Sequence, residues 1–377
     1  MLIANGCLIT PDEIIPGGGI IIQEGKIAGV LRADKSQSQA RSAARGGADD
    51  VLDAGGRLVV PGFIDLHLQG TGDVDVWEGT YEAVDALSRN VARYGTTSFT
   101  GATHYRPEAI EAICEAVRRG TSGANVLGLY MEGPFISPRR RGAISPKYCL
   151  APTQRELDRL LEKVGSALKV MTVAPEVVPA EMIARLVDAA VVPAVGHSDA
   201  TYEQVRRAAD AGVCHATHLF NAMRGVAADE PGTVGACLLD ERISVELIAD
   251  GIHLHPGALR LVRRVKQTGK ICLITDAVRA AGMQEGAYAS DAGGRAVTVR
   301  NGAVRLEDGT LAGSTLTMNR AVRNMIRLAG CSIQEAVRMA STSPAAVLGL
   351  SDRKGMLKAG MDADIVIADD DLQVHAA

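Results

Sequence analysis

Glu132, His197, His218 and Asp276 are the residues of this chain best placed to do chemistry, because each closes a short apolar run. The runs read VLGLYMEG, VVPAVGHS, VCHATHLF and ICLITDAV, the pattern of parallel strands buried on both faces. Histidine and carboxylate suit zinc or a similar divalent ion, and three protein ligands leave one position open for water. Glu132, His197 and His218 supply such a set. An ion held there lowers the pKa of its water and polarises a carbonyl. Asp276 is then the candidate general acid/base, taking the water proton and passing it to a leaving nitrogen. His253, in IADGIHLHP, is a candidate for contacting substrate or stabilising developing charge.

The other histidines read differently. His215 lies three residues before His218 in the same run, so its side chain should face the other way and pack in the core. His104, ending GATHY, stands at a plausible mouth position. His255 and His375 read as ordinary surface or loop residues.

Ligands at the ends of successive buried strands are how a (β/α)8 barrel builds its site. Eight strand candidates run through the middle of the chain: GFIDLH, TTSFTGAT, NVLGLYME, KVMTVAPE, VVPAVGH, GVCHATHL, ISVELIAD and KICLITDA. Amphipathic stretches such as YEAVDALSRNVARYG and TYEQVRRAADAG separate many of them, which predicts a closed parallel barrel of the TIM type. Two helices, over 315–330 and 332–350, should pack outside the last strands. The first sixty residues read as short strands joined by turns such as EGK and AGG. The polar segment 33–50 between them reads as an exposed loop. The same strand-and-turn texture returns in 294–310 and 354–371, so the two β-rich ends are expected to meet. The division that follows is a small discontinuous β-sandwich of 1–60 and 345–377, with a metal-dependent barrel over 61–344.

The 377 residues, 47% hydrophobic and 22% charged, have the balance of an ordinary soluble domain. A net charge of −4 leaves no basic footprint, which argues against nucleic acid as a partner. No run approaches the roughly 18 apolar residues of a membrane helix. The opening MLIANGCLITPDE lacks the basic start and apolar core of a signal peptide. Seven cysteines without C-x-x-C spacing suit reduced thiols, and the expected location is the cytoplasm.

Six ordered motifs then carry a resemblance. MEGPF (131–135), GHSDAT (196–201), THLFNAM (217–223), DGIHLHP (250–256), ITDAV (274–278) and AGSTLTM (312–318) resemble the N-acetylglucosamine-6-phosphate deacetylases of the amidohydrolase superfamily. The likeness covers essentially the whole chain. It implies a metal-dependent homodimer that hydrolyses the acetamide of an N-acetylated amino sugar, most simply N-acetylglucosamine-6-phosphate. By position it implies Glu132, His197 and His218 as metal ligands, Asp276 as general acid/base, and His253 on the sugar. It also implies that the Asn221–Ala222 backbone helps to hold the substrate.

Three positions depart from the family pattern. His67-Leu68-Gln69 stands where many superfamily members carry H-x-H, so one firmly held ion is expected, with His67 and Gln69 a partial second site. Ile144 fills a slot where the family commonly has a histidine on a sugar hydroxyl, a bond isoleucine cannot make. Asp229 stands where an arginine usually meets the substrate phosphate. Losing such a charge-assisted contact costs about 1.5–3 kcal/mol. Arg224, or the Arg139–Arg141 triplet, is the candidate replacement. Another N-acyl compound, or an unphosphorylated N-acetyl one, is the alternative substrate. A non-catalytic relative would lose a ligand or the strand-eight aspartate, and here all four are present.

Overall fold

The computed structural model describes residues 1–45, 51–289 and 296–377. Its centre is a parallel sheet of eight strands in sequence order. These are β1 (Phe63–Leu68), β2 (Thr96–Thr103), β3 (Asn125–Met131), β4 (Leu168–Val173), β5 (Val192–Val195), β6 (His215–Ala216), β7 (Ser244–Ile248) and β8 (Ile271–Ile274). All eight coincide with the apolar runs of the sequence. In β1, β7 and β8 every residue is buried, because helices cover one face and the barrel interior the other. The ring closes where Leu68 bridges Ala277. There the Asp276 N–H donates to the His67 carbonyl at 2.9 Å, and the Gln69 and Gly70 N–H groups donate to the Ala277 carbonyl at 3.0 and 2.8 Å.

Several of the helices between strands are amphipathic and capped by their own sequence, whereas Gly232–Leu239 is buried along nearly its whole length. Tyr81–Ala92 buries Val84, Leu87 and Val91 against the barrel, and the Thr80 hydroxyl accepts from the Ala83 N–H. Tyr202–Asp210 starts with a capping box between Thr201 and Gln204. Met318–Ala329, Ile333–Ala340 and Thr342–Val347 lie outside β8 and β1, where two helices were expected; the one expected over 332–350 is broken in two at Ser341.

The chain ends share a seven-stranded sheet, in the order Val374–Ala376, Ile365–Ala368, Leu58–Pro61, Leu2–Ile9, Ile14–Gln23 and Lys26–Leu31; Val51–Asp53 also pairs with Leu2–Ile9. Ile3, Leu8, Ile20, Ile27, Val59, Leu357 and Ile365 form its core. The sheet curls until Lys26 bridges Asp362. Ile14–Gln23 turns into Lys26–Leu31 through Glu24-Gly25, both left-handed at φ 49° and 71°, as a type I′ hairpin turn requires.

Two expectations are corrected. The segment read as a loop over 33–50 is helical at Ala33–Arg45, while 46–50 lie outside the described residues. Alanine, arginine, lysine and glutamine are strong helix formers. Ser36 anchors the helix, fully buried, with its hydroxyl accepting from the Asn5 N–H at 3.4 Å. The strands expected to join the terminal sheet from 294–310 do not do so. Gly286–Ala289, Ala296–Arg300, Ala303–Leu306 and Leu311–Ser314 form their own antiparallel sheet, tied to the barrel by an Ala277–Ser314 bridge. Val297, Val299, Val304 and Leu306 bury their side chains against Ala280, not against the terminal core. No helix among the described residues is long and apolar enough to cross a membrane.

Candidate active site

A cavity of about 390 Å³ opens at the C-terminal ends of the barrel strands. Glu132 follows β3, its N–H donating to the Thr103 carbonyl at the end of β2. Its Oε1 lies 2.7 Å from His197 Nε2 and 2.9 Å from His218 Nε2. One donor atom from each of the three falls within 4.8 Å of the others, and all three residues are buried. Two imidazoles and one carboxylate converging at the base of a cavity fit a zinc-type ion. The surrounding charge fits a cation too, because Glu246 and Asp276 are also buried there.

The backbone that presents these groups leaves the strand conformation at each of them. His197, His218 and Asp276 have φ of 46°, 27° and 47°, a region non-glycine residues seldom occupy. Each break turns a side chain out of the pleat and toward the mouth. Such conformations cost of order 1–3 kcal/mol apiece and collect at functional sites.

Asp276 faces the three-residue cluster from β8. Gln69 donates to its Oδ1 at 3.0 Å, and His67 Nε2 stands 3.6 Å from the same oxygen and 3.9 Å from Glu132 Oε2. Burial raises the Asp276 pKa despite the His67 and His218 charges. Burial alone would raise Glu132 as well, but the charge of His197 and hydrogen bonds from His104, His197 and His218 hold it well below the usual range. Burial would lower His67, yet Glu246 with the charges of Asp276 and Glu132 takes it up to about 10. Gln69 and His67, the partial second site of the sequence, thus stand beside Asp276.

His253 lines the cavity and is oriented by Asp250, whose carboxylate meets its Nδ1 and its N–H, each at 2.7 Å. Asn221, Ala222 and Ile144 also line it. Arg224 and Asp229 do not. Arg224 turns to Asp199 at 3.3 Å, which also takes Arg140 at 2.9 Å and Arg139 at 3.9 Å, and Asp229 is exposed.

Sequence reasoning missed Glu246. It is fully buried in β7 and receives His215 Nε2 at 2.9 Å and the His218 N–H at 3.0 Å, with His67 Nδ1 at 3.6 Å. A glutamate inside the apolar run ISVELIAD was the available signal, since buried charges occur with partners. His215 is accordingly buried and away from the cavity lining, as expected of a core histidine. His104 had only its mouth position to mark it, and it meets Glu132 Oε2 at 3.0 Å.

Residues 58–376 match the model of the amidohydrolase family. The chain is 37% identical over 384 residues to an N-acetylglucosamine-6-phosphate deacetylase of Bacillus subtilis, covering 99% of this chain and 94% of that protein. It is 40% identical over 331 residues to an N-acetylgalactosamine-6-phosphate deacetylase of Escherichia coli O157:H7, covering 86% and 87%. A mutant N-acetyl-D-glucosamine-6-phosphate deacetylase of Mycobacterium smegmatis, solved in complex with N-acetyl-D-glucosamine-6-phosphate, superimposes with a TM-score of 0.88 at 33% identity, covering 99% and 96%. Full-length likeness, fold and converging donor set agree: this chain belongs to the N-acetylglucosamine-6-phosphate deacetylase family, among the metal-dependent amidohydrolases that cleave carbon–nitrogen bonds.

Proposed function

We propose that this chain removes the acetyl group from an N-acetylated amino sugar, N-acetylglucosamine-6-phosphate being the substrate its relatives indicate. The observation that carries the reading is the convergence of Glu132, His197 and His218 opposite Asp276. Those three residues would hold one divalent ion, taken as zinc. When bound, such an ion supplies a water of lowered pKa and polarises the acetamide carbonyl. Asp276 receives a proton from the attacking water and delivers it to the amine nitrogen as the C–N bond breaks. Water oxygen thereby ends on the acetyl carbon, giving acetate and the free amine. Gln69 holds the Asp276 carboxylate toward the cavity. His253, fixed by Asp250, and the Asn221–Ala222 segment contact the sugar.

The same reading makes the working unit a cytoplasmic homodimer, its barrel of 61–344 beside a terminal domain of 1–60 and 345–377. Seven unpaired cysteines support a reducing compartment.

One observation favours a second reading, a different or unphosphorylated N-acyl substrate. Ile144, Val278, Ala280, Val304 and Leu311 give part of the cavity an apolar wall, while Arg224 is tied to Asp199 outside it. Measuring kcat/KM for N-acetylglucosamine with and without the 6-phosphate, on metal-loaded protein, separates the two. A strong preference for the phosphate supports the first reading. Equal or absent activity on the phosphate overturns it.

A further inference from the structure

The geometry points to His104 as a positioning residue that fixes the Glu132 carboxylate for metal binding. The inference rests on the reading of Glu132 as a metal ligand and goes beyond it. A carboxylate can offer an ion one oxygen or two, and a ligand free to exchange between these modes holds its ion less firmly. In this chain the two Glu132 oxygens have separate partners. Oε1 faces His197 and His218, whereas Oε2 faces His104 Nε2 at 3.0 Å.

His104 is itself held in place. Its ring stands edge-on to Trp77, with centroids 4.6 Å apart and planes at 88°, and Tyr148 lies 5.8 Å away on a tilted plane. Trp77 is fixed in turn by its backbone N–H on the Asp75 carboxylate and by the Arg106 guanidinium 4.8 Å over its ring. His104 Nδ1 is buried and finds no hydrogen-bond partner among the described residues. The proton therefore belongs on Nε2, where it is donated to Glu132. A donor locked by an aromatic wall leaves Oε1 as the oxygen presented to the ion. Hydrogen bonds of this kind to ligating groups typically carry about 10–100-fold in metal affinity.

The test compares zinc-loaded wild type with H104L, which retains apolar packing on Trp77 but has no donor. A third protein, H104Q, places an amide nitrogen near the position of the ring Nε2. Metal release into excess chelator is followed without substrate, so a residue that merely touches the sugar would not change it. H104L should lose zinc about 10–100-fold faster, H104Q should stay within a few-fold of wild type, and cobalt-substituted H104L should show a shifted visible spectrum. Wild-type release from H104L overturns the proposal, as does an H104Q that loses zinc as fast as H104L. Wild-type protein that holds no zinc at all would instead overturn the metal reading of Glu132, and the inference with it.

Discussion

Gln69 donates its side-chain amide to Asp276 Oδ1 at 3.0 Å across the seam where the first and eighth barrel strands meet. The two residues are 207 apart in the chain, yet adjacent backbone bonds at the seam set their separation. Gln69 thus meets the carboxylate of the proposed acid/base.

Asp276→Asn should therefore lower kcat by about 10²–10⁴-fold, the range for a positioned proton-transfer group. Gln69→Ala should cost roughly ten- to a hundredfold, the value of one hydrogen bond to a charged group. Steady-state kinetics alongside metal analysis check both. An active D276N enzyme with full metal content would remove Asp276 from its role.

His218→Ala and His197→Ala should each abolish stoichiometric metal binding, because each deletes one of three converging donors. Chelation of the wild type should likewise remove activity, and added zinc should restore it. Metal content by elemental analysis, read against activity, decides the point.

Asp229→Arg should raise the preference for phosphorylated over plain N-acetylglucosamine by about 10–150-fold, the equivalent of about 1.5–3 kcal/mol. The ratio of the two kcat/KM values is the measurement. An unchanged ratio would show that this exposed position does not govern phosphate selectivity.

Acid should loosen the terminal sheet through Asp362. Burial alone would raise this carboxyl, but hydrogen bonds from Lys26 and Arg353 with the Lys354 charge bring it down to about 2. The folded state therefore keeps Asp362 ionised where the unfolded chain protonates it, near pH 4. Its contribution, about 1–2 kcal/mol, is complete above about pH 5 and disappears as the pH falls toward 2. Denaturant unfolding at pH 7 and pH 3 should show a smaller pH dependence in D362N than in wild type.

Much of this arrangement was legible in the sequence. All eight barrel strands could be read as apolar runs, because a strand covered on both faces has little choice of residue. The positions of the converging donors were legible because polar groups at the ends of such runs stand out. What could not be read is how those groups meet. The left-handed backbone at His197, His218 and Asp276 has no glycine to announce it. Glu246 was hidden for a different reason: its partners His215, His67 and the His218 N–H come from other strands. The helix at Ala33–Arg45 was obscured by polarity: of residues 33–39 only Ser36 is buried, and its composition resembles a loop. The extra sheet around 286–314 has the same alternation as a terminal strand, and alternation does not say which core a strand will join.

The pairing of Leu58–Pro61 with Ile365–Ala368 has a consequence for biosynthesis. Chains leave the ribosome N-terminus first, at about 5–20 residues per second. The early strands thus expose a bare hydrogen-bonding edge at Leu58–Pro61 for as long as the barrel is being made, roughly a quarter to one minute at those speeds. Unpaired edges of this kind recruit other chains. Ile365–Ala368, among the last strands to be translated, is what covers it, so a chain whose translation stops within the barrel leaves this edge open.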